Sequence, residues 1–317
     1  MHTNESMGLV GYTGFVGNNI ANKTKFSGLY NSKNIQNSYG TNPDLLVYAG
    51  LRAEKFIANK YPEKDMDSIY NAINTIKKIN PQKLVLISTI DVYDTPINVN
   101  EKDIPNEDQL LPYGKNRLFL EHWVENNFKQ YCVVRLPGLF GQNIKKNFIY
   151  DMIHIVPSLL TEKKYMELNE KDKRIADFYI GENQGFYKCK PLSVYERKQL
   201  ICILDSVGFS ALNFTDSEGV YQFYNLEHLW GHIELCMEHQ ISKINMSTEP
   251  IAIKELYHFV TGIGFENRIT KTPPFYDFRT QFSDIFGGSD GYIENKKNVL
   301  NQIKKFVENQ RYEKYGE

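Results

Sequence analysis

The chain of 317 residues carries 37 basic and 38 acidic side chains, and this balance leaves no basic excess to draw a polyanion, so we do not expect nucleic acid as the main partner. No apolar run approaches the ~20 residues that span a bilayer, so we expect no membrane partner. The four cysteines are scattered without a CxxC pair, a pattern that favours a reducing cytoplasm over a disulfide framework.

Apolar runs and helical patterns alternate over the first 140 residues. MGLVGYTGFVGNNIANK predicts a strand, a tight turn and a helix. The near-continuous apolar runs at 43–50 and 83–89 are typical of strands that are covered on both faces of a parallel sheet. Helices are predicted around Ile69–Ile76 and from Tyr113 to about residue 128, followed by a strand in YCVVRLPGLFG. The alternation predicts a doubly wound α/β sheet.

The pattern weakens after Gly141, and this change predicts the division of the chain. We expect a dinucleotide-binding domain over residues 1–141 and a smaller, discontinuous C-terminal substrate lobe over most of 142–317. A segment near 215–240 is expected to return to the parallel sheet of the first domain.

The turn in GYTGFVG has the spacing GxxGxxG, with Gly11, Gly14 and Gly17 after an apolar strand and at a helix start. One glycine permits the turn, one lets a pyrophosphate approach the backbone, and one lets the helix pack on the strand. The N–H groups of the helix start attract the anion. A glycine trio alone is weak, but in this context it predicts a dinucleotide site.

The end of the second predicted strand, GLYNSKN, lacks the acidic residue that would bind the adenosine ribose of NAD. Asn31, Ser32, Lys33 and Asn34 could accept a 2′-phosphate instead, which favours NADP slightly over NAD. A polar loop that contacts no ligand is the equal alternative.

The ordered set GYTGFVG, DLLVYAG, STIDVYD, PYGKNRLFLE and RLPGLFG resembles the extended short-chain dehydrogenase/reductase superfamily, especially its nucleotide-sugar epimerases, dehydratases and ketoreductases. The resemblance implies a Rossmann-type fold, NAD or NADP as cofactor, a nucleotide-sugar substrate and a homodimer through the helices after the third and fourth strands. The turn and the resemblance together place these residues at the cofactor: Gly11, Thr13, Gly14, Phe15, Val16, Gly17, Asn31, Ser32, Lys33, Ala49, Gly50, Tyr113, Arg117, Pro137, Gly138 and Leu139.

The resemblance also assigns catalytic roles. Tyr113 corresponds to the residue that gives or takes the proton during hydride transfer, and Thr89 to the residue that hydrogen-bonds the substrate oxygen. An ordinary β-branched strand residue is the alternative for Thr89. The family's Lys stands four positions after the Tyr, where this chain has Arg117. Lys115 is rotated about 200° from Tyr113 on a helix and should point away.

Arg117 can provide charge but not a proton. A cation about 5 Å from the phenol, at a dielectric near 20, would stabilise phenolate by roughly 3 kcal/mol and lower the Tyr113 pKa by about two units. Because an Arg pKa exceeds about 12, a proton relay through the cation is lost. We expect Arg117 to orient ribose and hydride transfer to be slow or altered.

Asp91 bears on the type of reaction. Dehydratases of this family follow their catalytic Thr with Asp and Glu, whereas this chain has Ile90 and Asp91, so only one carboxylate remains. Elimination needs a proton removed and another supplied, so keto-sugar reduction is favoured over dehydration, and an epimerase remains open.

The resemblance places the substrate's diphosphate at Asn147 and Phe148, with an ordinary helix start as the alternative. Tyr221 occupies the position of a diphosphate-binding Arg, and Arg279 is a further candidate for phosphate. His228 and His232 have a helical spacing that can bind zinc, but no third ligand is evident, so we expect no metal.

These patterns predict an NAD(P)-dependent enzyme that acts on a nucleotide-linked sugar. The alternative is a non-catalytic dinucleotide-binding protein, a sensor or an assembly subunit, since Arg117 replaces the usual Lys.

Overall fold

A computed structural model describes residues 5–182 and 185–316. Its elements up to residue 140 are β1 (Met7–Val10), α1 (Phe15–Ala21), β2 (Gly28–Tyr30), β3 (Leu45–Tyr48), α2 (Lys55–Lys60), α3 (Pro62–Ile79), β4 (Lys83–Thr89), α4 (Pro112–Asn127), β5 (Tyr131–Leu136) and β6 (Gly138–Phe140). Those that follow are α5 (Phe148–His154), β7 (Leu159–Thr161), α6 (Glu162–Lys171), β8 (Tyr179–Glu182), β9 (Phe186–Cys189), α7 (Val194–Ser206), β10 (Val220–Tyr221), β11 (Phe223–Asn225), α8 (Leu229–Glu238), β12 (Lys243–Asn245), β13 (Ile251–Ala252), α9 (Ile253–Thr261) and α10 (Lys296–Tyr315). Within the described ranges, none of the helices has the length and apolar character that a bilayer crossing requires.

The central sheet has six strands in the order β12-β5-β4-β3-β1-β2, and all neighbouring strands run parallel. Val10 pairs with Tyr30 on one side and with Tyr48 on the other, and Thr89 pairs with Leu136. Because β2 and β3 lie on opposite sides of β1, the order in which the strands are added to the sheet changes direction at β1. Ligands of such sheets bind outside the carboxyl ends of the strands at this reversal.

Helices cover both faces of the sheet. Ile20 of α1 and Ile233 of α8 pack into one apolar core, and Ile76 of α3 and Leu120 of α4 pack into the other. The strands are apolar on both sides because both faces are buried. The doubly wound α/β architecture expected from the alternating pattern is confirmed.

A buried ion pair fixes α4 on the sheet. Arg135 of β5 binds Glu121 of α4 at 2.6 Å, and the two side chains are 1% and 0% exposed. Ser88 donates a hydrogen bond to the same carboxylate at 2.5 Å, and Arg135 also donates to the Tyr93 hydroxyl at 2.7 Å. Since α4 begins with Pro112 and Tyr113, this network sets the position of the helix that carries the proposed proton donor.

The chain forms two compact units. The first contains the residues up to Ile144, Tyr221–Ile251 and Phe275–Val299. The second contains Lys145–Val220, Ala252–Pro274 and the chain from Leu300 onward. The second unit includes the antiparallel sheet β7-β9-β8, whose core brings together Leu160, Leu168 and Leu200. The assignment of a substrate-binding role to the later part of the chain stays a prediction.

Gly17 provides a test of helix packing in the glycine turn. A Cβ at Gly17 would lie 2.2 Å from the carbonyl oxygen of Gly11, so the Gly17→Ala variant should lose about 1–3 kcal/mol of unfolding free energy. Apart from its chain neighbours and the backbone of its own helix, Gly231 in α8 has no described atom within 4 Å of such a Cβ, so Gly231→Ala should gain up to about 1 kcal/mol of unfolding free energy. Urea unfolding measures both, and equal stabilities for the two variants would contradict the packing constraint.

Asp151 of α5 should make stability depend on pH. Burial raises the pKa of this carboxyl to about 7. Because the unfolded value is about 4, the folded state binds the proton more tightly and loses stability as pH rises through about 7. Asp151→Asn should therefore raise Tm at pH 8 and have much less effect at pH 4.

The pKa of Asp172 is changed in the opposite direction, so this residue serves as a control. Its hydrogen bonds with Arg174 lower its pKa to about 2, so its stabilising effect is present above about pH 4 and lost on acidification. Asp172→Asn should lower Tm slightly at pH 8. Thermal unfolding at pH 8 and pH 4 measures both variants. A rise in Tm for Asp151→Asn that is equal at the two pH values would refute the raised pKa of Asp151.

Candidate active site

The glycine turn forms a cradle at the carboxyl ends of β1 and β3. Gly11 has φ +90°, and a Cβ on it would lie 2.4 Å from the carbonyl oxygen of Ala49. The Gly14 N–H donates to the Gly11 carbonyl at 2.9 Å, and Gly14 caps α1 without a side-chain hydrogen bond. Backbone N–H groups at a helix start, with no Cβ in the way, fit a dinucleotide pyrophosphate. The other predicted residues of the turn are exposed or half-buried: Thr13, Phe15 and Val16.

The loop after β2 is ordered by its own side chains. The Asn31 side chain accepts a hydrogen bond from the Lys33 N–H at 2.8 Å, and the Asn34 side chain accepts one from the Asn31 N–H at 2.7 Å. The side chains of Ser32 and Lys33 are exposed. The carbonyl of Tyr30, just before this loop, accepts the Gly11 N–H at 2.7 Å. The loop therefore adjoins the glycine turn and presents one cation and one hydroxyl.

Further predicted cofactor residues lie at the same edge of the sheet. The Ala49 N–H donates to the Val10 carbonyl at 2.9 Å, and a Cβ on Gly50 would lie 3.0 Å from the Val10 side chain. Gly138 follows the end of β5 and donates its N–H to the Gln222 carbonyl at 3.1 Å. The remaining two predicted residues of this segment are half-buried: Pro137 and Leu139.

Thr89 and Tyr113 come together beside Asp91. The Thr89 hydroxyl accepts the Asp91 N–H at 3.2 Å, and it acts to lower the pKa of the Tyr113 phenol. A Cβ on Gly114 would lie 2.0 Å from the Asp91 carbonyl oxygen, so glycine is required for this approach of α4 to the end of β4. The three residues predicted for acid–base chemistry thus form one cluster at the carboxyl end of β4.

Arg117 is held by a carboxylate. Its guanidinium binds both oxygens of Asp65, at 2.9 and 3.0 Å, and donates to the Arg52 carbonyl at 3.0 Å. It also lies 4.6 Å from the centre of the Tyr113 ring. Arg117 is only 4% exposed, whereas Lys115 is exposed and points away as expected. The bidentate geometry suits a planar fork and not an ammonium.

The expected lowering of the Tyr113 pKa is wrong. Burial raises the pKa of Tyr113, Arg117 and the Thr89 hydroxyl oppose the rise, and the carboxylates of Asp91 and Asp65 add to it, so the pKa lies above its ordinary value. The expectation treated Arg117 as a lone cation in a polar medium. It left out both the burial of the phenol and the carboxylate that offsets the cation.

Sequence reasoning missed three residues of this cluster. Asp65 of α3 pairs with Arg117, and Lys55 of α2 binds Asp91 at 2.7 Å. Tyr276 interacts electrostatically with Lys55 and helps to raise the Lys55 pKa. Lys55 follows the carboxyl end of β3, and this position in the sequence could have marked it as a residue of the site. Tyr276 lies far along the chain, and no local pattern marked it.

Two predicted substrate residues lie in the first unit. Tyr221 stacks on Tyr276, with ring centres 5.6 Å apart. Arg279 binds Asp277 at 3.1 Å, donates to the Asp290 carbonyl at 2.7 Å and lies 4.2 Å from the Tyr292 ring. Its guanidinium is thus engaged within its own unit, and a contact with phosphate would have to share these partners.

The other two predicted substrate residues lie in the second unit. The Asn147 side chain accepts the N–H groups of Ile149 and Tyr150 at 3.0 and 3.2 Å, so it caps α5. Phe148 is 3% exposed and packs against the rings of Tyr257 and Phe265. Both residues have structural roles here, and their substrate contacts stay a prediction.

The histidine pair of HLWGH is packed within the first unit. His232 contacts the Tyr224 hydroxyl at 2.8 Å, and its ring stacks with that of His228. Burial and the neighbouring His228 lower the His232 pKa to about 4. Among the described residues, no group of three or more His, Cys, Asp or Glu side chains is arranged to hold a metal ion.

No protein-family model matches the chain, and no curated protein matches it in sequence. RMD from Pseudomonas aeruginosa, complexed with NADPH, is similar in structure, with a TM-score of 0.63, 12% identity and coverage of 98% of this chain and 99% of that chain. dTDP-4-dehydrorhamnose reductase from Bacillus anthracis, in complex with NADP, has a TM-score of 0.61, 14% identity and coverage of 98% and 99%.

UDP-glucose 4-epimerase from Thermotoga maritima, with UDP-glucose, has a TM-score of 0.59, 14% identity and coverage of 98% of this chain and 100% of that chain. At such low identity these likenesses concern the fold. The chain therefore shares the fold of these three solved structures.

Proposed function

We propose that this chain is an NAD(P)-dependent oxidoreductase or epimerase of nucleotide-linked sugars, with reduction of a keto sugar favoured. The observation that carries this proposal is the meeting of the glycine cradle, Thr89 and Tyr113 at the carboxyl edge of one parallel sheet. Structures of the same fold contain NADPH, NADP or UDP-glucose, which supports the same classes of ligand here.

The dinucleotide would be held by the chain's backbone and by the loop after β2. Gly11 and Gly17 allow the tight turn and the close packing of α1, Gly14 leaves room for the pyrophosphate, and Ser32 and Lys33 present groups that suit a 2′-phosphate. NADP is accordingly favoured over NAD. When bound, the dinucleotide supplies or accepts the hydride.

The protein's part in reduction is to polarise the carbonyl and supply its proton. Thr89 donates a hydrogen bond to the substrate oxygen, and Tyr113 gives that oxygen its phenolic proton. The raised Tyr113 pKa keeps the phenol protonated at neutral pH, as the donor in a reduction must be. Asp91 already binds Lys55, and no Glu stands beside it, so dehydration is disfavoured.

Substrate recognition is proposed for Asn147 and Phe148 in the second unit and for Tyr221 and Arg279 in the first. The stacked rings of Tyr221 and Tyr276 form a flat aromatic surface that suits a sugar or a base.

A homodimer through α3 and α4 is also proposed. Tyr70 and Phe119 lie on these helices, are 50% and 43% exposed, and contact each other edge to face with ring centres 6.0 Å apart. A cytoplasmic location is proposed because the four cysteines, all described, form no disulfide.

A second candidate is a non-catalytic dinucleotide-binding protein. The observation in its favour is that Asp65 engages both arms of Arg117, so the usual titratable cation is missing and its replacement is already paired. Such a protein would bind NADP(H) and consume none with any keto sugar nucleotide.

Loss of the Tyr113 hydroxyl tests the enzymatic role. Tyr113→Phe should lower kcat for NADPH oxidation with a keto sugar nucleotide by about 100-fold or more, because it removes the general acid. Absorbance at 340 nm measures the rate, and titration of NADPH fluorescence measures binding, which should be retained. Tyr312→Phe, at a 73% exposed position of α10, is the matched control and should match the wild type.

The outcome separates the two candidates. If the wild type binds NADPH but oxidises none across a panel of keto sugar nucleotides, the binding protein is the better account. If Tyr113→Phe turns over as fast as the wild type, Tyr113 is not the proton donor.

A further inference from the structure

Gln222 is a buried carboxamide at the junction of β10 and β11. It lies between Tyr221, where β10 ends, and Phe223, where β11 begins, and it is 1% exposed. A buried amide is costly unless its donors and its acceptor are hydrogen-bonded. The partners of this side chain therefore show which parts of the chain it holds together.

The side chain of Gln222 binds the backbone of two other segments. Its amide nitrogen donates to the Phe278 carbonyl at 2.8 Å and to the Thr248 carbonyl at 2.6 Å, and its oxygen accepts the Phe278 N–H at 2.9 Å. The two bonds with Phe278 reproduce those that a neighbouring β-strand would make with that residue. Because two bonds are donated and one is accepted, neither an ionised Glu nor a Met could replace the carboxamide.

The chain around Phe278 is held from both sides. The N–H groups of Asp277 and Arg279 donate to carbonyls of the loop at 96–99, at 2.8 and 2.7 Å. The N–H of Phe278, between them, bonds Gln222 instead. Successive N–H groups of an extended chain point to opposite sides. Gln222 therefore takes the side that the loop does not bind.

The backbone of Gln222 holds the predicted cofactor segment. Its carbonyl accepts the Gly138 N–H at 3.1 Å, and a Cβ on Gly138 would lie 2.9 Å from that carbonyl oxygen. The next residue, Phe223, pairs with Gly138 in the parallel register of β11 and β6. Gln222 thus contacts the cofactor segment through its backbone and the chain at Phe278 through its side chain.

The aromatic surface of Tyr221 and Tyr276 belongs to the segments that Gln222 joins. Tyr221 directly precedes Gln222, and Tyr276 lies two residues before Phe278. Their rings stack with centres 5.6 Å apart and with 22° between the planes. Because the carboxamide joins the two segments that carry the rings, it determines how the rings meet.

We propose that Gln222 is a positioning residue of the site, which fixes the aromatic surface of Tyr221 and Tyr276 relative to the backbone at Gly138. The inference rests on the proposed function, in which this surface receives the substrate and Gly138 borders the dinucleotide. Since Gln222 is 1% exposed, it acts through these groups without contact with either ligand.

Hydride transfer is sensitive to such positioning. Reacting atoms must approach to about 3–3.5 Å, and a misplacement of about 1 Å can cost about 100-fold in rate. The bond from Gln222 to Gly138 comes from the backbone, so it survives a change of side chain. Loss of the carboxamide should therefore impair the use of substrate and leave cofactor binding intact.

Gln222→Met tests the role in turnover. The substitution keeps the length of the side chain and removes its donors and its acceptor. For the keto sugar nucleotide that the wild type reduces, kcat/KM should fall about tenfold or more, whereas Kd for NADPH should stay within about twofold. Gln310→Met, at a buried glutamine of α10 that bonds Glu313, is the matched control and should leave both constants unchanged.

Gln222→Asn keeps the carboxamide but shortens its reach by one methylene. It should show the same separation of kcat/KM from NADPH binding, and it takes the place of Gln222→Met if that variant does not fold. Far-UV circular dichroism and thermal unfolding of each variant show whether the fold is intact.

A kinetic double-mutant cycle with Tyr276 distinguishes positioning from general destabilisation. If Gln222 acts through the aromatic surface, Gln222→Met should change kcat/KM by less than about threefold in a Tyr276→Ala background. A residue that only stabilised the fold would give losses that multiply.

Hydrogen exchange tests the attachment without substrate or cofactor. The Phe278 N–H bonds the Gln222 side chain, whereas the Arg279 N–H bonds the Val99 carbonyl. In Gln222→Met the Phe278 amide should exchange about tenfold faster or more, and the Arg279 amide should keep its rate. NMR of the full-length protein measures both amides.

The positioning role is overturned if Gln222→Met has the kcat/KM of the wild type, if the losses in the cycle multiply, or if the Phe278 amide exchanges at the wild-type rate. A wild type that oxidises no NADPH with any keto sugar nucleotide would defeat the proposed function instead. In that case hydrogen exchange still decides whether Gln222 holds the chain at Phe278.

Discussion

The bidentate ion pair between Arg117 and Asp65 is the interaction on which the character of the site depends. It joins α4 to α3, and through the Arg52 carbonyl it also holds the segment that follows β3. A lone cation at position 117 would lower the pKa of Tyr113 and favour the phenolate. Because Asp65 offsets the charge of Arg117 and the phenol is buried, the pKa of Tyr113 is raised instead. The phenol therefore stays protonated, which suits a proton donor better than a general base.

The parallel sheet explains why distant residues meet. The chain reverses direction across the sheet at β1, and the carboxyl ends of β1, β3, β4 and β5 then carry the glycine turn, Ala49, Thr89 and Pro137 along one edge. Close backbone approaches at Gly11, Gly17 and Gly114 bring helices against this edge where a side chain would prevent it. The ion pair between Asp91 and Lys55 lies at the same edge.

Much of the fold could be predicted from the sequence, because its signals are local. The spacing of Gly11, Gly14 and Gly17 and the apolar strands predicted the turn and the parallel sheet, and both are confirmed. The pairing of Arg117 with Asp65 and the grouping of Lys55, Asp91 and Tyr276 could not be predicted, since each depends on tertiary proximity. The error over the Tyr113 pKa has the same origin, because helical spacing shows which cation shares a face but shows neither burial nor its counter-ion. Asn147 illustrates a further limit, since one side chain can suit a helix cap and a ligand contact equally well.

A double-mutant cycle on unfolding free energy tests most directly whether Arg117 is bound to Asp65. The three proteins needed besides the wild type are Asp65→Asn, Arg117→Gln and the variant with both changes. Because the two side chains are 11% and 4% exposed, each single change should cost about 3–5 kcal/mol. The double change should cost less than the sum, with a coupling energy of about 2–3 kcal/mol. Additive losses, with coupling below about 0.5 kcal/mol as between exposed charges, would contradict the account.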